Sequence, residues 1–598
     1  MRTVVEALER AAKEGEAGYR FIDSSGKSER YFTYPEVERE TARYGGALQA
    51  MGLGKGDRVA LILPDNADFV FAFLGAVRAG IIPVPLYPPP GLRRLEGYLN
   101  NTQHIVKRSG ARVVLTDSMV KKLLGTVQAH APALEQVAAV EPVRSSDAIF
   151  RPEKISLDDI CFLQFTSGST AAPKGVILRH RNLAANDHAI MVDGIRVTEG
   201  VDHGVSWLPL YHDMGLIGFV IAPLHHLNYV TFIPPMLFLR RPAKWLQTIS
   251  QYGGTVSFGP NFAYALCVKR IKDHEIEGLD LSTWRVAGCG AEPIRAENLI
   301  AFSERFADIG FDPGAMMPCF GMAESTLAVS FVPTGTGVRV DQVDPDELAS
   351  AGRAAPLDED HRTALPVVCC GKSFPGHDIA IFAVDDDDSA SPLPEREVGE
   401  IRLRGPSVTD GYFEDPVLTE QAFAGGWLRT GDLGYLADDE LYVCGRSKEL
   451  IIINGRNYYP QDIEWEASQI DGVRKGNVIA FACHRSRDDR EGLIIAFETG
   501  VTDADRRQSL LGEVRKAVQQ ATGLMLDDVV ALDAGVLPKT SSGKLKRAET
   551  KHLYQQGELE SQTSIRKVDP VGAAKEIAKS QLGYLRHALF GPSKKSSS

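Results

Sequence analysis

Along the first part of the chain, short apolar runs rich in Val, Ile and Phe alternate with longer segments of helical period. "RVALIL" (58–63) precedes "ADFVFAFLGAVRAG" (67–80), and "ARVVLT" (111–116) precedes "SMVKKLLGTVQAH" (118–130). Strands apolar on both faces are covered on both faces, so this alternation predicts parallel strands with crossover helices and an α/β fold class. From about residue 399 the texture changes to short strands and tight turns, "GEIRLRGPSV", "WLRTGDLGYLADDELYVCG" and "ELIIING", which predict hairpins in a small β-rich subdomain. A compact last unit follows, with strands in "GNVIAFAC", "GLIIAFET" and "DVVALD" and a helix over 505–521. Its boundary is placed near 446–449. The expected organisation is a large domain over 1–446, a small α+β domain over 447–557 and a tail over 558–598.

Other stretches are less regular. Residues 332–368 are low in pattern and rich in Asp, Gly and Pro; an irregular segment of that length inside a compact domain is usually functional or disordered. The acidic run 385–395 reads as a solvated loop. In the tail, Ala578, Leu582, Leu585 and Leu589 form an apolar stripe at helical spacing, expected to pack on this chain's own surface or to fray.

At 598 residues the chain exceeds what one core organises, so at least two domains are expected. A formal net charge of -12 gives no reason to expect nucleic acid, whose binding surfaces are basic. The eight cysteines form no CxxC pair, so neither a zinc site nor a disulfide framework is signalled, and a reducing cytoplasm is expected. Residues 1–16 contain acidic side chains and lack the apolar core of a signal peptide. The most apolar stretch, "GLIGFVIAPLHHL", is cut by proline and histidine short of the roughly 20 residues that span a bilayer, so no transmembrane helix is expected.

The candidate chemistry begins with "FTSGSTAAPKGVILRH" (165–180). A Walker loop, GxxxxGK[ST], would need glycine where Pro173 stands and a hydroxyl where Gly175 stands, so that reading fails. The segment still suits phosphate. Thr166, Ser167, Ser169 and Thr170 offer hydroxyls, Gly168 permits close backbone approach and Lys174 offers a point charge. A flexible surface loop is the alternative.

This stretch resembles the phosphate loop of the adenylate-forming superfamily, whose members activate carboxylates with ATP. The further signatures follow in the family's order: "GCGAEP" (288–293), "CFGMAES" (319–325), "TGD" (430–432), "GRSKELI" (445–451) and "PKTSSGKLKR" (538–547). Five ordered motifs are specific where one would be weak. The resemblance implies that Glu324 holds Mg2+, that Gly290, Ala291, Glu292, Gly321 and Met322 line the nucleotide site, and that Phe320 stacks on adenine. It departs from the family's tyrosine at Phe320, which leaves no phenolic hydroxyl there. Asp432, in what reads as a turn, and Arg446 would take the ribose hydroxyls, Lys448 would be the hinge, and Lys544 would bridge the substrate carboxylate and the α-phosphate.

Within the superfamily, "SWLPLYHDMGLIG" (206–218) and "GRNYYPQDIE" (455–464) resemble the fatty acyl-AMP ligases. These load fatty acids onto acyl carrier proteins or onto polyketide and nonribosomal peptide synthases through the phosphopantetheine thiol. The resemblance places His212 beside the acyl carboxylate and makes Met214, Leu216, Ile217 and Phe219 candidates for an acyl tunnel, although such residues are also ordinary core. It identifies 332–368 with the insertion that restricts the swing of the small domain. Two alternatives stay open: an acyl-CoA synthetase, and an inactive adenylate-fold binding protein.

Overall fold

The computed structural model describes residues 1–89, 95–166, 173–358, 361, 364–384, 391–453, 456–485, 490–540, 544–559, 577–585 and 587. The alternating first part builds a four-stranded parallel sheet in the order Ile82–Pro85, Arg58–Ile62, Val113–Thr116, Gln136–Ala139. A nine-stranded sheet is the larger layer. Its middle strands, Met316–Gly321, Val286–Cys289, Val256–Gly259, His203–Ser206, Tyr229–Phe232 and Gly18–Ile22, run parallel, and antiparallel strands close both edges. Loops leaving the carboxyl ends of parallel strands converge on one edge, where α/β sheets bind ligands.

The hairpin texture after residue 399 becomes a five-stranded antiparallel sheet around Trp427–Ala437, which pairs with Gly399–Arg404, Phe423–Ala424 and Glu440–Arg446. Beyond it the C-terminal unit has cores of its own. Helix Pro460–Ser468 and helix Ala504–Thr522 pack Ile463, Ala467, Leu510, Val514 and Val518 against strands Val473–Arg485, Arg490–Thr499 and Asp528–Asp533. Among the described residues no helix is long and apolar enough to cross a membrane.

Three expectations are corrected. Residues 118–130 form two short helices, Ser118–Lys121 and Gly125–His130, not one. Residues 332–368 are more regular than their pattern suggests: strands Val340–Val343 and Leu365–Val368 pair, and between them Asp344 caps helix Pro345–Ala351. The strands are four residues long and meet across a long loop, a pairing that local periodicity does not register. In the tail, helix 577–585 docks by the opposite face. Ile577, Ser580 and Tyr584 face the first sheet's helices, while Ala578, Leu582 and Leu585 point away; Leu589 lies outside the described residues. The contact is a close backbone crossing. The Gly125 amide donates to Ser580 Oγ at 2.7 Å, Tyr584 Oη donates to the Lys121 carbonyl, and neither Gly125 nor Gly583 has room for a Cβ.

Close approach also governs the sheet beneath the cleft. Gly288 pairs with Phe258, and a Cβ at Gly288 would overlap the Phe258 ring. Gly288→Ala should cost about 1–3 kcal/mol by overpacking, measured as a lower urea midpoint at unchanged slope.

Candidate active site

Between the large N-terminal body and the C-terminal unit lies a cleft of about 3220 Å³, and the carboxyl-end loops of the nine-stranded sheet form its floor. Strand Val286–Cys289 is followed by Gly290, where a Cβ would press on the Cys319 sulfur and carbonyl. Ala291 follows in the left-handed region at φ 68°, a conformation that side chains rarely adopt and that sites hold at a cost of about 1–3 kcal/mol. The turn aims Glu292 inward. Its Oε1 accepts the Phe262 amide at 2.6 Å, and burial raises its pKa above the usual carboxylate range.

Strand Met316–Gly321 carries Phe320 to the same edge, where Phe320 and Met322 pack against Val329, Ile381 and Ile401. The chain then reverses through the turn Ala323–Ser325, which places Glu324. Tyr412 Oη donates to Glu324 Oε1 at 2.9 Å, and the Thr409 amide donates to the Glu324 carbonyl at 2.8 Å. Burial, and the Glu324 charge after it, push the Tyr412 phenol well above its ordinary pKa. On its other side the Tyr412 ring faces Lys174, whose Nζ lies 5.0 Å from the ring centroid. Thr166 and Lys174 are register partners in the hairpin of Ile160–Thr166 and Lys174–Arg179. Ser167, Gly168, Ser169 and Thr170 lie outside the described residues.

Asp432 is not in a turn. It sits within strand Trp427–Ala437 after Gly431, whose φ is 71°, directly opposite Arg446 on the next strand. Arg446 Nε donates to its Oδ1 at 2.9 Å, with Asp432 buried and Arg446 half exposed. Burial raises the Asp432 pKa, and Arg446 opposes the rise. Lys448, two residues further, is exposed in the turn Ser447–Glu449.

Lys544 comes from the C-terminal unit and points into the cavity, in the electrostatic range of Asp213, Glu292, Asp432 and Arg446. Desolvation lowers its pKa most, then Arg446, while the three carboxylates raise it. His212 precedes the short helix Asp213–Leu216. Desolvation, and Lys544 after it, push its pKa down to about 4, so the imidazole is neutral at physiological pH.

The structure thus brings His212, Glu292, Asp432, Arg446 and Lys544 to one cleft, with Phe320, Met322 and Glu324 in its wall. Sequence reasoning missed three residues: Asp213, half-buried beside His212, where desolvation raises its carboxyl pKa; Tyr412, between Lys174 and Glu324; and Arg295, which leaves the GCGAEP turn toward the C-terminal unit. Asp213 was legible as an acid inside a substrate motif. No local pattern marks the other two.

The model of the family described as AMP-binding enzyme matches residues 8–413. The chain belongs to the AMP-binding enzymes. Within that family it is 38% identical to a putative acyl-CoA synthetase of Caulobacter vibrioides, over 93% of this chain and 96% of that one. It is 35% identical to the long-chain-fatty-acid–AMP ligase FadD32 of Mycolicibacterium smegmatis, over 93% and 95%. To the medium-chain-fatty-acid–[acyl-carrier-protein] ligase JamA of Moorena producens it is 32% identical, over 90% and 93%. A solved structure from a study of the fatty acyl-adenylate ligases of E. coli and L. pneumophila superposes with a TM-score of 0.86 at 38% identity, covering 94% of this chain and 98% of that one.

The depressed His212 pKa has a direct readout. Between pH 6.5 and 4 the unfolded chain takes up a proton that the folded ring refuses. The contribution to stability is therefore fully present above 6.5 and is lost as pH falls through that window. In histidine-labelled protein the His212 resonances, assigned by a His212→Gln variant, should titrate near 4. Lys544→Ala should move the midpoint only part of the way to 6.5, because burial is the larger cause.

Proposed function

We propose that this AMP-binding enzyme joins a medium- or long-chain fatty acid to AMP at the expense of ATP, releasing pyrophosphate. It then passes the acyl group to the phosphopantetheine thiol of a carrier protein or synthase. The observation that carries the reading is the convergence of Lys544, delivered by the C-terminal unit, with His212, Asp432 and Arg446 at the carboxyl edge of the parallel sheet.

A carboxylate oxygen of the fatty acid attacks the α-phosphorus as the bond to pyrophosphate breaks. Charge gathers on the phosphoryl oxygens, so positioning and electrostatics do most of the work. Lys544 spans the carboxylate and the α-phosphate. Neutral His212 donates a hydrogen bond to the carboxylate without competing for a proton. Phe320 stacks on adenine, the Asp432 carboxylate accepts from the ribose hydroxyls with Arg446 holding it in place, and Thr166, Lys174 and the intervening loop take the outer phosphates. Trp207, Phe258, Phe262 and Leu266 give the cleft an apolar lining suited to an alkyl chain.

Magnesium fits the donors present. The described residues hold no cluster of three or more His, Cys, Asp or Glu that could cage a metal, and Glu324 offers one hard carboxylate in the cleft wall. Magnesium is held in that way, by one or two carboxylates together with phosphate oxygens and water. When bound there it would neutralise charge on the phosphates. Tyr412 fixes the carboxylate that would hold it.

For the second step, the segment 332–368 favours a carrier protein over free coenzyme A. Val343, Leu348 and Val367 pack with Leu433, Tyr435 and Cys444 before the hinge and with Tyr459 after it, and Asp346 pairs with Arg456 at 3.0 Å. The insertion therefore grips both sides of Lys448 and opposes rotation there. A ligand shifts such an equilibrium only by its differential affinity for the two states, and a carrier brings a whole protein surface to that task. The name of the Caulobacter relative keeps an acyl-CoA synthetase as the second reading.

Lys544→Ala should lower adenylate formation by about 10²-fold or more, as loss of a preorganised electrostatic group does, while thermal unfolding stays within a few degrees. Retention of a tenth of the wild-type pyrophosphate exchange would sink the assignment. With ATP, magnesium, dodecanoate and coenzyme A, wild type should accumulate acyl-AMP, and abundant acyl-CoA would promote the second reading.

A further inference from the structure

Arg295 belongs to the large body. Its amide donates to Asn261 Oδ1 at 3.2 Å, and it caps helix Ala296–Phe306. Its guanidinium leaves that body and makes three contacts with one helix of the C-terminal unit, Pro460–Ser468. Nη2 donates to the Gln461 carbonyl at 2.6 Å and to Asp462 Oδ1 at 2.8 Å, and the cation lies 5.4 Å from the Trp465 ring centroid. The Arg295 side chain is only 14% exposed. A desolvated, forked cation on a carboxylate, a carbonyl and a ring is a directional contact that lysine does not reproduce.

The gripped helix also supports the catalytic loop. Glu464, on the same helix, accepts from Arg547 Nη1, and Arg547 Nε donates to Glu449 at 3.3 Å. Arg547 opens helix Arg547–Gln555 and lies three residues after Lys544, whose own loop is closed by the Thr540 amide donating to the Lys544 carbonyl at 2.7 Å. Ile463 and Ala467 bury the helix in the unit's core, so helix, Arg547 and Lys544 move as one piece. A continuous path therefore runs from Arg295 through Asp462 and Glu464 to Arg547 and the Lys544 loop. A rotation about Lys448 that withdraws Lys544 must also pull the helix off Arg295.

We propose that Arg295 is a positioning residue specific to the adenylation half-reaction: it catches helix Pro460–Ser468 in the placement that delivers Lys544, and releases it for acyl transfer. The inference rests on the proposed function and names the residue on which its first step depends.

Two readouts separate this role from a merely structural one. In full-length protein, Arg295→Ala should lower ATP–pyrophosphate exchange with dodecanoate by roughly tenfold or more, with Arg295→Lys in between. In the Lys544→Ala background the same change should add no further loss, because Arg295 acts through Lys544. Transfer from supplied dodecanoyl-AMP to the phosphopantetheinylated E. coli acyl carrier protein should be undiminished or faster. Asp462→Asn, which removes the partner from the other side, should give the same split.

A further loss in the Lys544→Ala background, equal loss of both half-reactions, or unchanged exchange in Arg295→Ala would overturn the proposal while leaving the enzyme's function standing. A wild type that forms no adenylate from ATP and dodecanoate would overturn the function and the catch together.

Discussion

The cleft is organised around one lysine that the C-terminal unit brings to charged side chains of the N-terminal body. Lys544, exposed to the cleft, lies in the electrostatic range of Asp213, Glu292 and Asp432, which favour its charge, and of Arg446, which opposes it. The acids come from three separate loops or strands of the N-terminal body, whereas the cation comes from the C-terminal unit. Each acid also has a partner on its own side: Arg446 for Asp432, and the Phe262 and Met214 amides for Glu292 and Asp213.

The large-scale organisation was legible because it is carried by local pattern. Alternating apolar runs marked the parallel sheet, and the loss of crossover helices marked the antiparallel one. Motifs scattered from Thr166 to Lys544 were legible through resemblance, since each holds its chemistry in a few adjacent residues. Asp432 was misplaced for an instructive reason. "RTGDLG" has turn composition, but a single glycine at positive φ inside a long strand satisfies the same residues and leaves Asp432 facing Arg446.

What escaped was whatever depends on two distant backbones meeting. Tyr412 matters because its backbone forms an isolated bridge to Val176 and its hydroxyl reaches Glu324, and nothing in "DGYFEDP" states either fact. Arg295 follows a recognised motif yet acts outside it. The helix of the 332–368 segment also escaped, although Asp344 at the cap, Pro345 at the first position and Gly352 at the end, at φ 65°, form a complete set of start and stop signals. Its low apolar content hid it.

The tail helix has a mechanical consequence. The C-terminal unit ends its core at Leu559, and the helix that crosses Gly125 begins at residue 577 on the opposite body. The chain thus meets the N-terminal body on both sides of the C-terminal unit: it leaves that body through the strand Glu440–Arg446 and returns to it where Ser580 accepts the Gly125 amide, so a change at either junction acts on the same body.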